Sequence, residues 1–461
     1  MRHMKKLALS LAAITALTTA CVAPNSATTA APTSAAKEET KAEATTEAAS
    51  GETQAAASGE AEELTIWAWD QNFNIPIMET AAEYYRKAGH ENFKLNIVEV
   101  EENAVETKSI TAFTSGVSEG MPDILLMGDY SAQSFLNNYE GKYADLTDAM
   151  DFSQFAPYKV KAYTVNDRVY GVPFDSGSAG IYYRKDYLEQ AGFSEDDMKD
   201  LTWSQFVEIG KKVKEATGKY FVVFTPYKGT HYMQIALQSA GQWLTDSEGK
   251  PVFKDSPAIR EMMEVIKEMY KADLIMPVDY WSAEGVGGIQ KGDVAAHISA
   301  VWYIPTITSV ADMEGKWGYT NIPKLETVDN ATQYSNIGGS SWVVLEDSKN
   351  KDLAIDFLKT VYAGNVDFYQ QILKEQGAVA TYIPSQSGEA YSEGVDYFGG
   401  ACIYKDFAEW GSKVPEVDYG MYTNEACDAL RTVTQDYFDD KMSLDDALTK
   451  AEENFNMQVG N

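Results

Sequence analysis

The sequence predicts an α/β fold built as two lobes, and two observations carry that reading. From residue 64 onward, strand-length apolar runs alternate with helix-length amphipathic segments, the pattern of a largely parallel sheet covered on both faces. About 400 residues follow that point in a chain of 461, more than one hydrophobic core accommodates.

Leu64, Thr65, Ile66, Trp67, Ala68 and Trp69 predict a buried strand, and 75–88 an amphipathic helix. A second strand over 94–100 and a helix over 105–113 follow, then a strand over 121–127 and a helix over 131–139. The rhythm breaks at 169–175 and resumes at 181–183. Helices are predicted over 203–216, 232–240 and 257–271, with a buried strand over 294–299. Gly338, Gly339, Ser340 and Ser341 lead into a strand over 342–345 and a helix over 353–362. The tail over 424–457 reads as helical, with Ser443 as an N-cap. In parallel sheets ligands sit beyond the carboxyl ends of the strands. Trp69, Asp70, Gln71 and Asn72 therefore share one rim with Gly128, Asp129 and Tyr130.

Ahead of this body lies a leader with Arg2, Lys5 and Lys6 before an apolar stretch over 7–17. That stretch is too short to span a bilayer and has the form of a secretory signal. Leu17, Thr18, Thr19 and Ala20 before Cys21 resemble the lipobox of exported lipoproteins, with Thr18 where that pattern usually has Leu. The resemblance implies a signal peptide over 1–20 and lipidation of Cys21. Residues 22–62 are mostly Ala, Thr, Ser, Glu and Gly without an aromatic, a composition expected to stay a disordered tether.

The formal charge of −31 repels nucleic acid and anionic headgroups and argues against both as ligands. Cys402 and Cys427 are too few to frame a body of this size, and whether they pair is left open. His90, His231 and His297 lack the spacing of a metal site, so no metal or other cofactor is expected. Gly116, Ser118 and Gly120 satisfy G-x-S-x-G, but between a helix and a strand, whereas a nucleophile elbow needs strand then helix. No phosphate-binding G-x-x-x-x-G-K-[ST] occurs. Nine Trp and 28 Tyr exceed what a core of this size needs. A pyranose has apolar C–H faces and a hydroxyl edge, which suit aromatic platforms flanked by Asp and Asn.

Several segments together resemble a known family. Val169, Tyr170, Gly171, Val172, Pro173 and Phe174 are followed by Gly180, Ile181, Tyr182, Tyr183, Arg184, Lys185 and Asp186. Further on come Leu201, Thr202, Trp203, Ser204, Gln205 and Phe206, then Gly292, Asp293, Val294, Ala295, Ala296 and His297 with Trp302 close behind. In this order they resemble the family 1 extracellular solute-binding proteins of ABC importers, the maltose-binding-like group. The resemblance implies a two-lobed clamp, each lobe a mostly parallel sheet flanked by helices. It implies three interlobe crossings, near 173–176, 338–341 and 383–385. Lobe 1 would comprise 63–174 and 340–384, and lobe 2 175–339 and 385–461.

The same resemblance brings further residues to the cleft: Asp175 and Ser176 at the first crossing, Trp302 and Tyr303 on the second-lobe wall, and Ser340 and Trp342 at the second crossing. Trp243, Trp281, Tyr419 and Tyr422 match less closely. Together with Trp69, Asp70, Asn72, Asp129 and Tyr130, these are the expected ligand contacts. The implied protein is a non-catalytic monomer, lipid-anchored at the outer face of the cytoplasmic membrane. It would capture a sugar or oligosaccharide and deliver it to ABC permease subunits. A polyamine or other cationic ligand suits an acidic, aromatic cleft as well. A secreted glycan-cleaving enzyme and a polysaccharide-binding surface lipoprotein are the readings of other classes.

Overall fold

The computed structural model describes residues 62–227 and 230–460. The leader, Cys21 and most of the tether lie outside the described residues. No helix among the described residues is long and apolar enough to cross a membrane.

The first layer is a five-stranded sheet. Strands β1 (Glu63–Ala68), β2 (Lys94–Glu99) and β3 (Ile124–Gly128) are joined by helices α1 (Asn74–Lys87) and α2 (Glu102–Ser115). Helix α3 (Asp129–Asn138) follows β3 directly, and α4 (Pro157–Ala162) precedes a small hairpin, β4 (Thr164–Val165) with β5 (Arg168–Val169). Strand β6 (Gly171–Pro173) lies at one edge of the large sheet.

The second layer centres on β7 (Ala179–Arg184). It continues with β8 (Val222–Val223), β9 (Ile275–Met276), β10 (Ala296–Ala300) and β11 (Trp317–Thr320). Strand β12 (Ser340–Val344) then returns to the first sheet and inserts between β3 and β6, giving the order β2-β1-β3-β12-β6. In the second lobe β10-β7-β11 form one ladder, and β8 pairs with β9. A bridge between Tyr220 and Val294 links the two, so the lobe follows the order β9-β8-β10-β7-β11. Each lobe thus repeats the same arrangement.

Each sheet is mostly parallel, as expected, with one reversed strand. β1, β2 and β3 are parallel, as are β8 and β9, but β12 runs antiparallel to β3 and β6, and β7 antiparallel to β10 and β11. The cause is the entry point of the chain. A segment arriving from the other lobe enters at the rim, where Ser340 meets Gly128 and Ala179 meets Ala300. From there it can only run down against a strand that ends at that rim.

The three crossings lie side by side. Ser178 bridges Asn336 and Asp175 bridges Ala380, so the first crossing is flanked by the other two. The third therefore runs through 379–381, a few residues before the expected 383–385, which form a 3-10 turn over Ile383–Ser387. Spacing between the first two is tight. A Cβ on Gly177 would stand 2.3 Å from Asn336 Oδ1 and 2.6 Å from the Ile337 carbonyl, a separation that only glycine permits. Cys402 and Cys427 are both free thiols.

Candidate functional site

A cleft of about 470 Å³ opens between the lobes, within the range of small-molecule sites. Its first wall comes from the ends of β1 and β3 and the starts of α1 and α2: Trp69, Asp70, Phe73, Asn74, Glu102 and Tyr130. Its floor is the crossings, with Asp175 and residues 337–340. Its second wall is His231, Tyr280, Trp281 and Trp302.

The first wall is fixed by a turn. Asn74, at the first position of α1, accepts the backbone N–H groups of Trp69 and Asp70 at 3.2 and 3.1 Å. This holds Trp69 at the rim with Asp70 beside it. Asp70 in turn accepts the N–H of Asn72 at 2.7 Å, and Asn72 itself points to solvent outside the cleft.

The second wall is a stack of aromatic rings. Trp281 lies on Trp302 with centroids 5.4 Å apart and planes 18° from parallel. Trp302 is anchored by its indole N–H donating to the Ile337 carbonyl at 3.3 Å. Trp281 remains 53% exposed, the most open large aromatic among the described residues. Tyr303 is buried behind this pair, 5.2 Å from Trp281 and edge-on to it, and its hydroxyl donates to the Tyr280 carbonyl. Trp302 and Tyr303 sit in one 3-10 turn (Val301–Tyr303), where adjacent side chains diverge, so one faces the cleft and the other the core.

His231 stands edge-on to Tyr280 at 5.1 Å, with its Nε2 buried and unpartnered among the described residues. Burial holds its pKa down to about 4, so the ring is neutral at pH 7.

Beneath the floor lies a buried ion cluster. Lys159 on α4 reaches Asp129 at 2.8 Å and Asp175 at 3.6 Å, all three nearly without solvent exposure. Tyr163 donates to Asp129 at 3.0 Å, and Asp175 accepts the N–H of Ser340 at 2.7 Å. Gly339, at φ +96°, closes the lid: a Cβ there would stand 2.6 Å from Lys159 Nζ and 2.9 Å from Asp129 Oδ2. Burial raises the Asp129 carboxyl to about 6 against the opposing pull of Lys159.

Of the expected contacts, seven line the cleft: Trp69, Asp70, Tyr130, Asp175, Trp281, Trp302 and Ser340. The others are placed elsewhere. Asp129 is sealed under Gly339, and Ser176 faces Tyr158 across the first crossing. Trp243 and Tyr419 form a buried aromatic group with Tyr130, at 5.4 and 5.1 Å from its ring. Trp342 is fully buried in the first-lobe core, two residues deeper along β12 than Ser340. Tyr422 packs edge-on to Phe455. The sequence reading missed Phe73, Asn74, Glu102, His231, Tyr280 and Ile337.

Two α/β lobes joined by three crossings around one aromatic and acidic cleft define a clamp-type binding protein. The sequence matches the bacterial extracellular solute-binding protein profile over residues 79–383, and the chain belongs to that family. It is 46% identical to a lactose-binding protein of Rhizobium radiobacter, over 79% of this chain and 86% of that one. It is 27% identical to an arabinooligosaccharide-binding protein of Bacillus subtilis, over 64% and 68%. The structure is similar to the galacto-N-biose/lacto-N-biose I-binding protein of Bifidobacterium longum in complex with lacto-N-biose, with TM-score 0.69 and 19% identity over 87% and 98%.

Proposed function

We propose that this protein captures a neutral sugar or short oligosaccharide in the interlobe cleft and delivers it to an ABC permease, with no chemistry on the ligand. The observation that carries this reading is the open face of Trp281, stacked on Trp302 across from Asp70 and Glu102. An aromatic face packs on the C–H surface of a pyranose while carboxylates accept its hydroxyls. The lactose- and arabinooligosaccharide-binding relatives support the same ligand class.

Residues 63–174 with 340–380 are assigned to one lobe, and 175–339 with 381–461 to the other, the last boundary moved from the expected 384 to the crossing at 379–381. Ligand touching both walls favours the closed clamp, because only that form makes both sets of contacts. Lipidation at Cys21 would keep the clamp at the outer face of the membrane beside its transporter.

A thermal-shift series with lactose, arabinotriose, maltotriose and spermidine tests the assignment. A true ligand stabilises by about 2.7 kcal/mol at a hundredfold excess over its dissociation constant. At least one of the sugars is expected to raise the melting temperature. A rise with spermidine alone would replace the carbohydrate reading with a cationic one, which the cleft carboxylates and the open Trp281 face also suit. Breakdown products from any bound oligosaccharide over hours would make the protein an enzyme instead.

A further inference from the structure

Building on the carbohydrate reading, we infer that Glu102 is a specificity-determining ligand contact whose carboxylate accepts a hydrogen bond from a ligand hydroxyl, making capture pH-dependent and biased against acidic sugars. Glu102 is the first residue of α2 and lines the first wall of the cleft. Its Oε1 lies 2.6 Å from where a Cβ on Gly128 would stand, so the glycine leaves it room at the rim.

The neighbouring carboxylates already have donors. Asp70 takes the Asn72 N–H, Asp175 the Ser340 N–H, Asp129 the Lys159 ammonium, and Glu106 the Ser131 hydroxyl. Glu102 has no hydrogen-bond partner among the described residues. A carboxylate gains a charge-assisted bond from any hydroxyl brought to it. A ligand in this cleft supplies that donor.

The electrostatic setting makes the contact titrate in a useful range. Glu101 and Glu106 crowd Glu102 from its own helix, Asp129 from α3 and Asp175 from the first crossing, while Lys159 is tied to the two aspartates. Tyr280 faces it from the second lobe. Burial first, and then these like charges, push its carboxyl up to about 7, although the side chain stays open to the cleft. If only the ionised form accepts the ligand, the dissociation constant at pH 6 is about tenfold that at pH 8. Protons are then released on binding near neutrality.

Isothermal titration with lactose from pH 5.5 to 8.5, in two buffers of different ionisation enthalpy, reads both effects on the wild-type chain. E102Q is expected to bind more weakly at pH 8 and to lose the slope and the proton release. Lactobionate, with a carboxylate in place of the reducing ring, is expected to bind at least tenfold more weakly than lactose at pH 8 and to recover part of that loss in E102Q. A flat wild-type profile, proton uptake instead of release, or a slope that survives in E102Q overturns the assignment. Absence of binding by lactose, arabinotriose and maltotriose at every pH would sink the carbohydrate reading itself, and this contact with it.

Discussion

Trp281 on the second wall and His297 buried behind it show how differently two neighbouring residues behave. Trp281 is half exposed, so Trp281→Ala should cost little stability while removing the stacking face. We expect at least a tenfold loss of sugar affinity, about 1.4 kcal/mol. A melting temperature that collapses, or an affinity that does not move, would contradict this. His297 is fully buried between the Tyr280 and Tyr303 rings, with both ring nitrogens unpartnered among the described residues. Burial holds its pKa down to about 3. The unfolded chain therefore binds a proton below about pH 6.5 that the folded one refuses, and stability falls as pH drops through that window. By pH 5 this amounts to roughly 2 kcal/mol. Denaturation of His297→Gln at pH 5 and 7.5 should show that much less acid loss than the wild type. Residues at strand ends were legible in the sequence, which is why Trp69, Asp70 and Tyr130 could be placed at the rim. Glu102 was not, because a charged residue before an apolar-periodic segment looks like a solvated helix entrance. His231 was equally hidden, as a lone histidine carries no periodicity.

At the scale of elements, the crossings and α4 act through the buried Lys159 cluster. Replacing Lys159 by Met leaves Asp129 and Asp175 without their cation, and breaking a buried pair from one side typically costs about 3–5 kcal/mol. Asp129, already raised to about 6, would be pushed further and would take up a proton more readily when folded than when unfolded. Stability contributed in that way grows as pH falls, so Lys159→Met should be less impaired at pH 5 than at pH 7.5. Equal impairment at both values would mean the cluster is held by packing alone. Gly339→Ala should destabilise by a different route, since its Cβ would crowd the same ammonium at a backbone φ of +96° that disfavours a side chain. Element identity followed well from the sequence: the alternation over 64–139 gave three strands and three helices in the right order. The shared direction of most strands followed too, but the reversal of β7 and β12 did not, because it depends on where the chain re-enters a lobe, and that is a property of the other lobe. The depth of Trp342 was lost for the same reason. Ser340 and Trp342 share a face of β12, and only the position of the rim decides that one meets the cleft and the other the core.

For the whole molecule, closure on a ligand is measurable without knowing any side chain. Small-angle scattering should show a smaller radius of gyration in the presence of a saturating sugar, and no change with one that fails to stabilise the protein. In cells, Cys21→Ala should move the protein from the membrane fraction to the surrounding fluid while leaving sugar affinity unchanged. Retention in the membrane would rule out the anchor. The pairing of Ser340 with Gly128 also has a meaning for how the protein is made. The strand that closes the gap in the first sheet is among the later ones to be synthesised, well behind the two strands it must join. Until it arrives, β3 and β6 have no partner between them, and non-local pairing of this kind is slow to form. A nascent chain is therefore kept from locking into its native lobe early. For a member of an extracellular binding-protein family, late completion of the sheet is a form of timing written into the order of the strands.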